Sequence, residues 1–85
     1  MRILVVSSVR LMRDGLAMML EQRPRVETVR LARSADDAIT VLRDFTPTLV
    51  LLDISAADSI AAAQRIAAHA TGIQVLGFAA GEAEH

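Results

Sequence analysis

The chain has 85 residues, a formal net charge of −1 and 53% hydrophobic residues. It forms one domain at most, because domains usually contain roughly 100–150 residues. The absence of cysteine excludes disulfides and thiolate metal sites. No apolar run approaches the ~20 residues of a membrane span. We therefore expect a cytoplasmic protein with no membrane partner, and the charge gives no reason to expect direct nucleic-acid binding.

Short apolar runs alternate with segments of helical periodicity along the chain. The uninterrupted apolar run within Arg2 to Ser7 predicts a strand covered on both faces. The weaker alternation of Val26 to Leu31 predicts an edge strand, whereas Leu49 to Asp53 is typical of a central one. Ile73 to Phe78 predicts a fourth strand. Helices between these strands give the order β-α-β-α-β-α-β, and right-handed crossovers then imply a parallel sheet.

The helices have recognisable ends and apolar faces. Ser34 is predicted to cap the second helix, and Ser8 the first. Asp58 or Ser59 can cap the third helix, and Gly72 follows its end in a position that favours left-handed backbone. The first helix has an apolar stripe at helical spacing, formed by Val9, Met12, Leu16, Met19 and Leu20. The third helix is predicted to bury Ile60, Ala63, Ile66, Ala67 and Ala70.

Two segments end at the edge of the sheet where chemistry is expected. In an open parallel sheet the ligand crevice lies at the carboxyl ends of the strands. Ser7 and Ser8 follow the first strand, and Asp53 closes the third. Asp53 is therefore either a functional carboxylate or a cap for the following loop, and its position in the sequence favours neither.

Several segments resemble response-regulator receiver domains. Leu51-Leu52-Asp53-Ile54, introduced by Pro47, resembles their phosphoacceptor strand. Arg13-Asp14-Gly15-Leu16, followed by Met19-Leu20-Glu21, resembles the first helix of receivers of the LuxR/NarL type, which carry helix-turn-helix DNA-binding domains. The resemblance covers essentially all 85 residues. It implies a flavodoxin-like (CheY-like) α/β fold with strand order 2-1-3-4, in which residues 1–85 form one receiver-like domain without the last helix-strand-helix of the family.

The resemblance also assigns site residues. In this family the aspartate of the third strand takes a phosphoryl group from a histidine kinase. Two acids after the first strand bind Mg²⁺, helped by a backbone carbonyl two residues past the acceptor, and a hydroxyl follows the fourth strand. Carried over by position, Asp53 is the acceptor and Ser55 supplies the carbonyl. The acidic pair falls on Ser7 and Ser8, and the hydroxyl position on Ala79.

These departures predict a degenerate site. Mg²⁺ is a hard cation that proteins usually hold through carboxylates, and neutral serine hydroxyls cannot replace two negative ligands. We therefore expect a pseudo-receiver, a non-enzymatic protein-interaction module of a LuxR/NarL-like transcriptional regulator, with no cofactor. The first alternative is a phosphorylatable receiver that holds Mg²⁺ through Asp53 and Ser55. The second is a flavodoxin-like cofactor binder, which the glycine-free segment Ser7 to Leu11 disfavours.

The remaining expectations concern partners and isolated side chains. The apolar strand at 73–78 is predicted to lie at an exposed sheet edge, which favours a homodimer through edge pairing or strand exchange. A histidine kinase is a partner only if Asp53 is phosphorylated. Arg10 and Arg13 lie near the start of the first helix, from which either could reach Asp53, but a surface role is the favoured prediction for both. His69 and His85 are predicted to be surface residues.

Overall fold

The computed structural model describes residues 1–55 and 57–79. The elements follow the predicted order: β1 (Arg2–Val6), α1 (Arg10–Glu21), β2 (Thr28–Ala32), α2 (Ala35–Leu42), β3 (Leu49–Asp53), α3 (Ser59–His69) and β4 (Gln74–Phe78). β2 begins later than predicted because the Val26 amide donates to the Arg23 carbonyl in a turn. β4 begins at Gln74 because the Ile73 amide is likewise bonded to the Ala70 carbonyl. His85 lies outside the described residues.

The four strands form one parallel sheet in the order β2-β1-β3-β4. This is the predicted CheY-like α/β arrangement, with β2 at an edge as its weaker hydrophobicity indicated. Val6 is in register with Ala32 on one side and with Leu52 on the other. The carboxyl ends of β1 and β3 are therefore level, and the residues that follow Val6 and Leu52 are neighbours.

The main core lies on one face of the sheet. It joins even-numbered residues of β1 and β3 to one buried residue from each of α2 and α3, namely Leu4, Val6, Val50, Leu52, Ala38 and Ile66. α1 packs against β1 and β2, and the right-handed crossover places it on the opposite face. In the described ranges, 1–55 and 57–79, no helix has the length and apolar content of a membrane span.

The structure confirms two helix signals and corrects another. The Ser34 hydroxyl accepts a hydrogen bond from the Asp37 amide and caps α2 as predicted. Gly72 has φ of +81°, in the left-handed region. The assignment of Ser8 as the cap of α1 is wrong, because Val9 is the N-cap residue and its amide donates to the Ser7 hydroxyl.

Two predicted apolar faces are also only partly buried. In α1, Met12, Leu16 and Leu20 are half-buried, whereas Val9 and Met19 are exposed. α1 has no fully buried residue, because it contacts the sheet with only part of its circumference. In α3, Ile66 and the following Ala70 are buried as predicted. Ile60 and Ala67 are exposed, contrary to the prediction.

Candidate functional site

The candidate site lies where β1 and β3 end side by side. β1 leads into Ser7, whose amide donates to the Ala32 carbonyl and so extends the pairing with β2 by one residue. β3 ends at Asp53. Both side chains are withdrawn from solvent, with Ser7 3% and Asp53 6% exposed. These are the only buried polar or charged residues within 1–55 and 57–79, so the sheet brings together two groups that burial alone would penalise.

Hydrogen bonds from both serines satisfy the Asp53 carboxylate. Its Oδ2 accepts a 2.8 Å hydrogen bond from the Ser7 hydroxyl. Its Oδ1 accepts hydrogen bonds from the amide of Ser55 at 2.9 Å and from the hydroxyl of Ser55 at 2.6 Å. Each carboxylate oxygen therefore has a protein donor, and the burial of Asp53 is compensated.

Ser7 is itself fixed by the start of α1. Its hydroxyl oxygen accepts the Val9 amide at 3.1 Å, and its carbonyl accepts Nη1 of Arg13 at 2.8 Å. A serine hydroxyl has one proton to donate, and here that proton is given to Asp53. Arg13 therefore contacts Ser7 and makes no hydrogen bond with the Asp53 carboxylate. Arg10 forms an exposed pair with Asp14 and does not reach Asp53 either.

The electrostatics of Asp53 follow from these contacts. Burial raises the pKa of its carboxyl group, since the charged form loses water. The hydrogen bonds from the side chain and backbone of Ser55, and from Ser7, favour the carboxylate and outweigh burial. The net result is a pKa below the ordinary value, so Asp53 is ionised at neutral pH.

A polar cavity of about 240 Å³ opens beside this pair. Its walls come from the ends of β1 and β3 and from the starts of α2 and α3, and its polar lining consists of Ser7, Ser8, Arg33, Ser34, Asp53, Asp58 and Ser59. Ser8 is exposed on this wall, so the predicted pair Ser7 and Ser8 is adjacent to Asp53, but only Ser7 bonds to it. The cavity is small compared with typical small-molecule sites, which occupy about 300–1,000 Å³.

The donor set around Asp53 does not fit Mg²⁺. In the part of the chain that the structure describes, no three His, Cys, Asp or Glu side chains are grouped as metal ligands. One oxygen of the Asp53 carboxylate, Oδ2, already accepts a hydrogen bond from the neutral Ser7 hydroxyl. Mg²⁺ would have to displace this bond and gain only a neutral ligand in return.

The structure also describes the other two predicted positions, Ala79 and Ser55. Ala79 follows Phe78, which is in register with Asp53, and it is exposed with a methyl group that cannot donate a hydrogen bond. The role of the Ser55 carbonyl as a metal ligand stays a prediction, and the structure shows that the amide and hydroxyl of Ser55 donate hydrogen bonds to Asp53. The signal for this was present in the sequence, since an aspartate often binds the backbone amide two residues later in a local turn.

Solved structures with a similar fold include response regulators and a receiver domain. The MaeR response regulator bound to beryllium trifluoride superposes with a TM-score of 0.78 at 23% identity. The receiver domain of a modulated diguanylate cyclase from Desulfovibrio desulfuricans G20 also has a TM-score of 0.78 at 23% identity, and the response regulator PhyR from Brucella abortus has 0.72 at 28%. The fold is that of a receiver domain.

The matches cover most of this chain but only part of each neighbour. They cover 93%, 95% and 89% of this chain in the same order. The chain spans less than two thirds of the neighbours, at 66%, 66% and 32% of their lengths. Neither a protein-family profile nor a curated protein sequence matches the chain.

Proposed function

We propose that this chain is a pseudo-receiver, a signalling module that acts by protein–protein interaction and without phosphorylation of Asp53. The observation that carries the proposal is the hydrogen bond from the buried Ser7 hydroxyl to Asp53 Oδ2. It makes Asp53 a satisfied structural carboxylate at the position where the receiver fold has its phosphoacceptor. On this proposal the module has neither an enzymatic activity nor a cofactor.

The chemistry of phosphoryl transfer supports this proposal. The transferred group carries negative charge that metal ions and cationic side chains must stabilise. Serines stand at the acidic-pair positions, and Ala79 stands at the hydroxyl position. The Asp53 carboxylate accepts three hydrogen bonds from the protein. An attacking carboxylate oxygen would first have to give up one of these bonds, and the neutral groups of Ser7 and Ser55 that donate them cannot compensate the incoming charge.

The test is incubation with acetyl phosphate and Mg²⁺, read by intact mass. We expect no phosphorylated species beyond that of an Asp53→Asn control, and no change in the unfolding curve when beryllium fluoride and Mg²⁺ are added. Stoichiometric phosphorylation that disappears in Asp53→Asn would overturn the proposal. It would establish the alternative, a receiver that uses Asp53 as acceptor and a histidine kinase as partner, which the match to MaeR bound to beryllium trifluoride favours.

We further propose a place for the module in transcription regulation. The first-helix segment Arg13 to Leu16, with Met19 to Glu21, is similar to receivers of the LuxR/NarL type, which control DNA-binding domains. The module would then transmit its state by association, with itself or with another regulator. Expression profiling of a strain with the chain deleted tests this, and an unchanged transcript pattern under every growth condition in which the protein is made would contradict it.

The sheet edge at β4 is a candidate surface for association with a second copy. β4 is the terminal strand of the sheet over the described residues, and Leu76 is 46% exposed. Unpaired edge strands invite pairing with another chain. Amide hydrogen exchange of residues 74–78 tests this proposal, because edge pairing protects these amides increasingly as protein concentration rises. Exchange that is independent of concentration would exclude the edge.

A further inference from the structure

Two arginines share one aromatic ring near the amino end of the sheet. The guanidinium carbon of Arg2 lies 5.6 Å from the centroid of the Phe45 ring, and that of Arg30 lies 5.1 Å from the same point. Both distances are within the roughly 6 Å over which a cation is attracted to an aromatic face. Phe45 is buried in the core, so the ring is a fixed platform that holds two positive charges close together.

The sheet register brings the two arginines to the same side of the molecule. Thr28 is in register with Arg2 across the β1–β2 pair, and Arg30 follows Thr28 by two residues, which returns its side chain to the same face. Leu4, the register partner of Arg30, belongs to the core cluster that also contains Phe45. The arginines therefore lie on the face of the sheet that carries the main core.

The position of Arg2 is fixed further by the loop before β3. Its amide donates to the Thr48 hydroxyl oxygen at 2.9 Å, and its carbonyl accepts hydrogen bonds from the Thr48 hydroxyl at 3.0 Å and amide at 2.8 Å. Stacking on the ring restricts the guanidinium at the other end of the side chain. A ligand that binds this group therefore immobilises little that is not already ordered, which lowers the entropic cost of binding.

The stacked guanidinium groups keep their hydrogen-bond donors for another partner. A guanidinium that lies over a ring uses its face, while its five N–H groups point outward in its own plane. Over residues 1–55 and 57–79, the arginine side chains with a hydrogen bond or an ion pair are those of Arg10, Arg13 and Arg65. Arg2 and Arg30 are not among them, so no carboxylate in this part of the chain neutralises the pair.

We propose that Arg2 and Arg30, held on Phe45, form a binding site for a phosphate monoester. Such a group carries a charge of about −1.5 to −2 at pH 7 and has three strong acceptor oxygens, which matches two guanidinium groups. A carboxylate or a phosphate diester carries a single negative charge and would neutralise only one of them. The hydroxyl of Thr28, on the same face, is in position to donate to a third oxygen. The monoester belongs either to a small phosphorylated metabolite or to a phosphorylated side chain of a partner protein.

This site goes beyond the proposed function and is separate from Asp53. Arg2 is the first residue of β1, whereas Asp53 is the last residue of β3, so the two sites lie at opposite ends of the parallel strands. Phosphorylation of Asp53 would therefore overturn the proposed function and leave the arginine site standing. A chain that accepts no phosphate at Asp53 and binds no phosphate monoester would give the opposite result.

The first test is an NMR titration of the full chain with methyl phosphate, at neutral pH and with chloride keeping the ionic strength constant. We expect saturable shifts of the Nε–H signals of Arg2 and Arg30, and weaker responses to acetate and to dimethyl phosphate. The affinity should fall below about pH 6, where the monoester takes up its second proton while both arginines stay charged. Equal responses to the three anions overturn the proposal, as do shifts confined to residues 58–62 at the start of α3.

The second test compares variants of equal net charge. Arg2→Gln and Arg30→Gln should each raise the dissociation constant for methyl phosphate at least about tenfold, because charged hydrogen bonds are lost. Arg30→Lys keeps the charge but not the planar fork, so it should also weaken binding. Arg43→Gln is the matched control, since Arg43 is exposed at the end of α2 in the same region and does not stack on the ring. Equal losses in Arg43→Gln and Arg30→Gln would indicate general attraction to a basic surface and overturn the site.

A third measurement distinguishes the two sources of the monoester. Adenosine monophosphate represents a small metabolite, and a peptide with one phosphoserine represents a partner protein; adenosine and the unphosphorylated peptide are their controls. Binding of either phosphorylated probe at Arg2 and Arg30, with loss of binding in its control, supports the proposal, and the tighter probe identifies the source. A wild-type chain that shows no saturable shift with methyl phosphate or with either probe overturns the proposal.

Discussion

The hydroxyl of Ser7 and the carboxylate of Asp53, 46 residues apart in the chain, form a buried hydrogen bond of 2.8 Å at the ends of two adjacent parallel strands. This bond comes from the end of β1, where the resemblance to receiver domains places the acidic pair. Three further contacts hold the arrangement, two from Ser55 to Asp53 and one from the Val9 amide to the Ser7 hydroxyl. Four hydrogen bonds therefore occupy the groups on which phosphorylation would depend.

Replacing Ser7 by alanine should destabilise the fold. The change leaves Asp53 Oδ2 and the Val9 amide without their partner, and loss of a hydrogen bond to a buried charged group costs about 1–3 kcal/mol. Urea unfolding at pH 7 measures the effect. Ser8→Ala is the control, because Ser8 is exposed and the change should stay within about 0.5 kcal/mol. Equal effects of the two substitutions would contradict the role assigned to Ser7.

The stability provided by Asp53 should depend on pH. Because the pKa of Asp53 is lower in the folded state than in the unfolded chain, the ionised carboxylate stabilises the fold above the unfolded pKa of about 3.9. That contribution is lost as pH falls below this value and through the folded pKa. The difference in free energy of unfolding between wild type and Asp53→Asn should therefore be constant near neutrality and shrink below about pH 3.9. A difference that grows on acidification would show that the folded pKa is raised.

Restoring acids at positions 7 and 8 should create metal dependence. In Ser7→Asp combined with Ser8→Asp, like charges beside Asp53 repel one another and should destabilise the fold in the absence of divalent cations. Mg²⁺ should then stabilise the variant, by about 2.7 kcal/mol when its concentration is 100 times the dissociation constant. Thermal unfolding with and without Mg²⁺ measures this. The wild type is the control and is titrated in parallel, with Na⁺ keeping the ionic strength constant. Its unfolding temperature should not shift with Mg²⁺. An equal response to Mg²⁺ in both proteins would show that the serines do not control metal binding.

Gly77 should not tolerate a side chain while Ile54 is present. A Cβ atom at Gly77 would lie 2.7 Å from Cγ2 of Ile54, a branch atom that cannot move without rotating the whole side chain. Gly77→Ala should therefore cost about 1–3 kcal/mol, as overpacking commonly does. Ile54→Ala removes the obstructing atom, so the same glycine substitution should cost much less in that background. A double-mutant cycle by urea unfolding measures the coupling, and additive effects would contradict the contact.

Much of the fold could be predicted because it depends on local patterns. The run Leu49 to Asp53 becomes β3 with the predicted bounds, since a continuous apolar segment can be satisfied only with both faces covered. Ser34 caps α2 because its hydroxyl needs only the amide three residues later. The predictions that were wrong concern residues whose exposure depends on how their helix contacts the sheet. Met19 and Ile60 fit the apolar periodicity of their helices and are nevertheless exposed.

The sequence by itself determined which residues form strands and helices and that Asp53 closes a buried strand, because periodicity and capping act over a few neighbouring residues. Only the tertiary structure decided what Asp53 contacts. Ser7 reaches it because the parallel register sets Val6 beside Leu52, and Arg13 reaches the carbonyl of Ser7 because α1 folds back over β1. Such contacts join residues brought together by sheet pairing, whose register depends on the packing of both faces at once. A local pattern therefore identifies the carboxylate but not the hydroxyl that holds it.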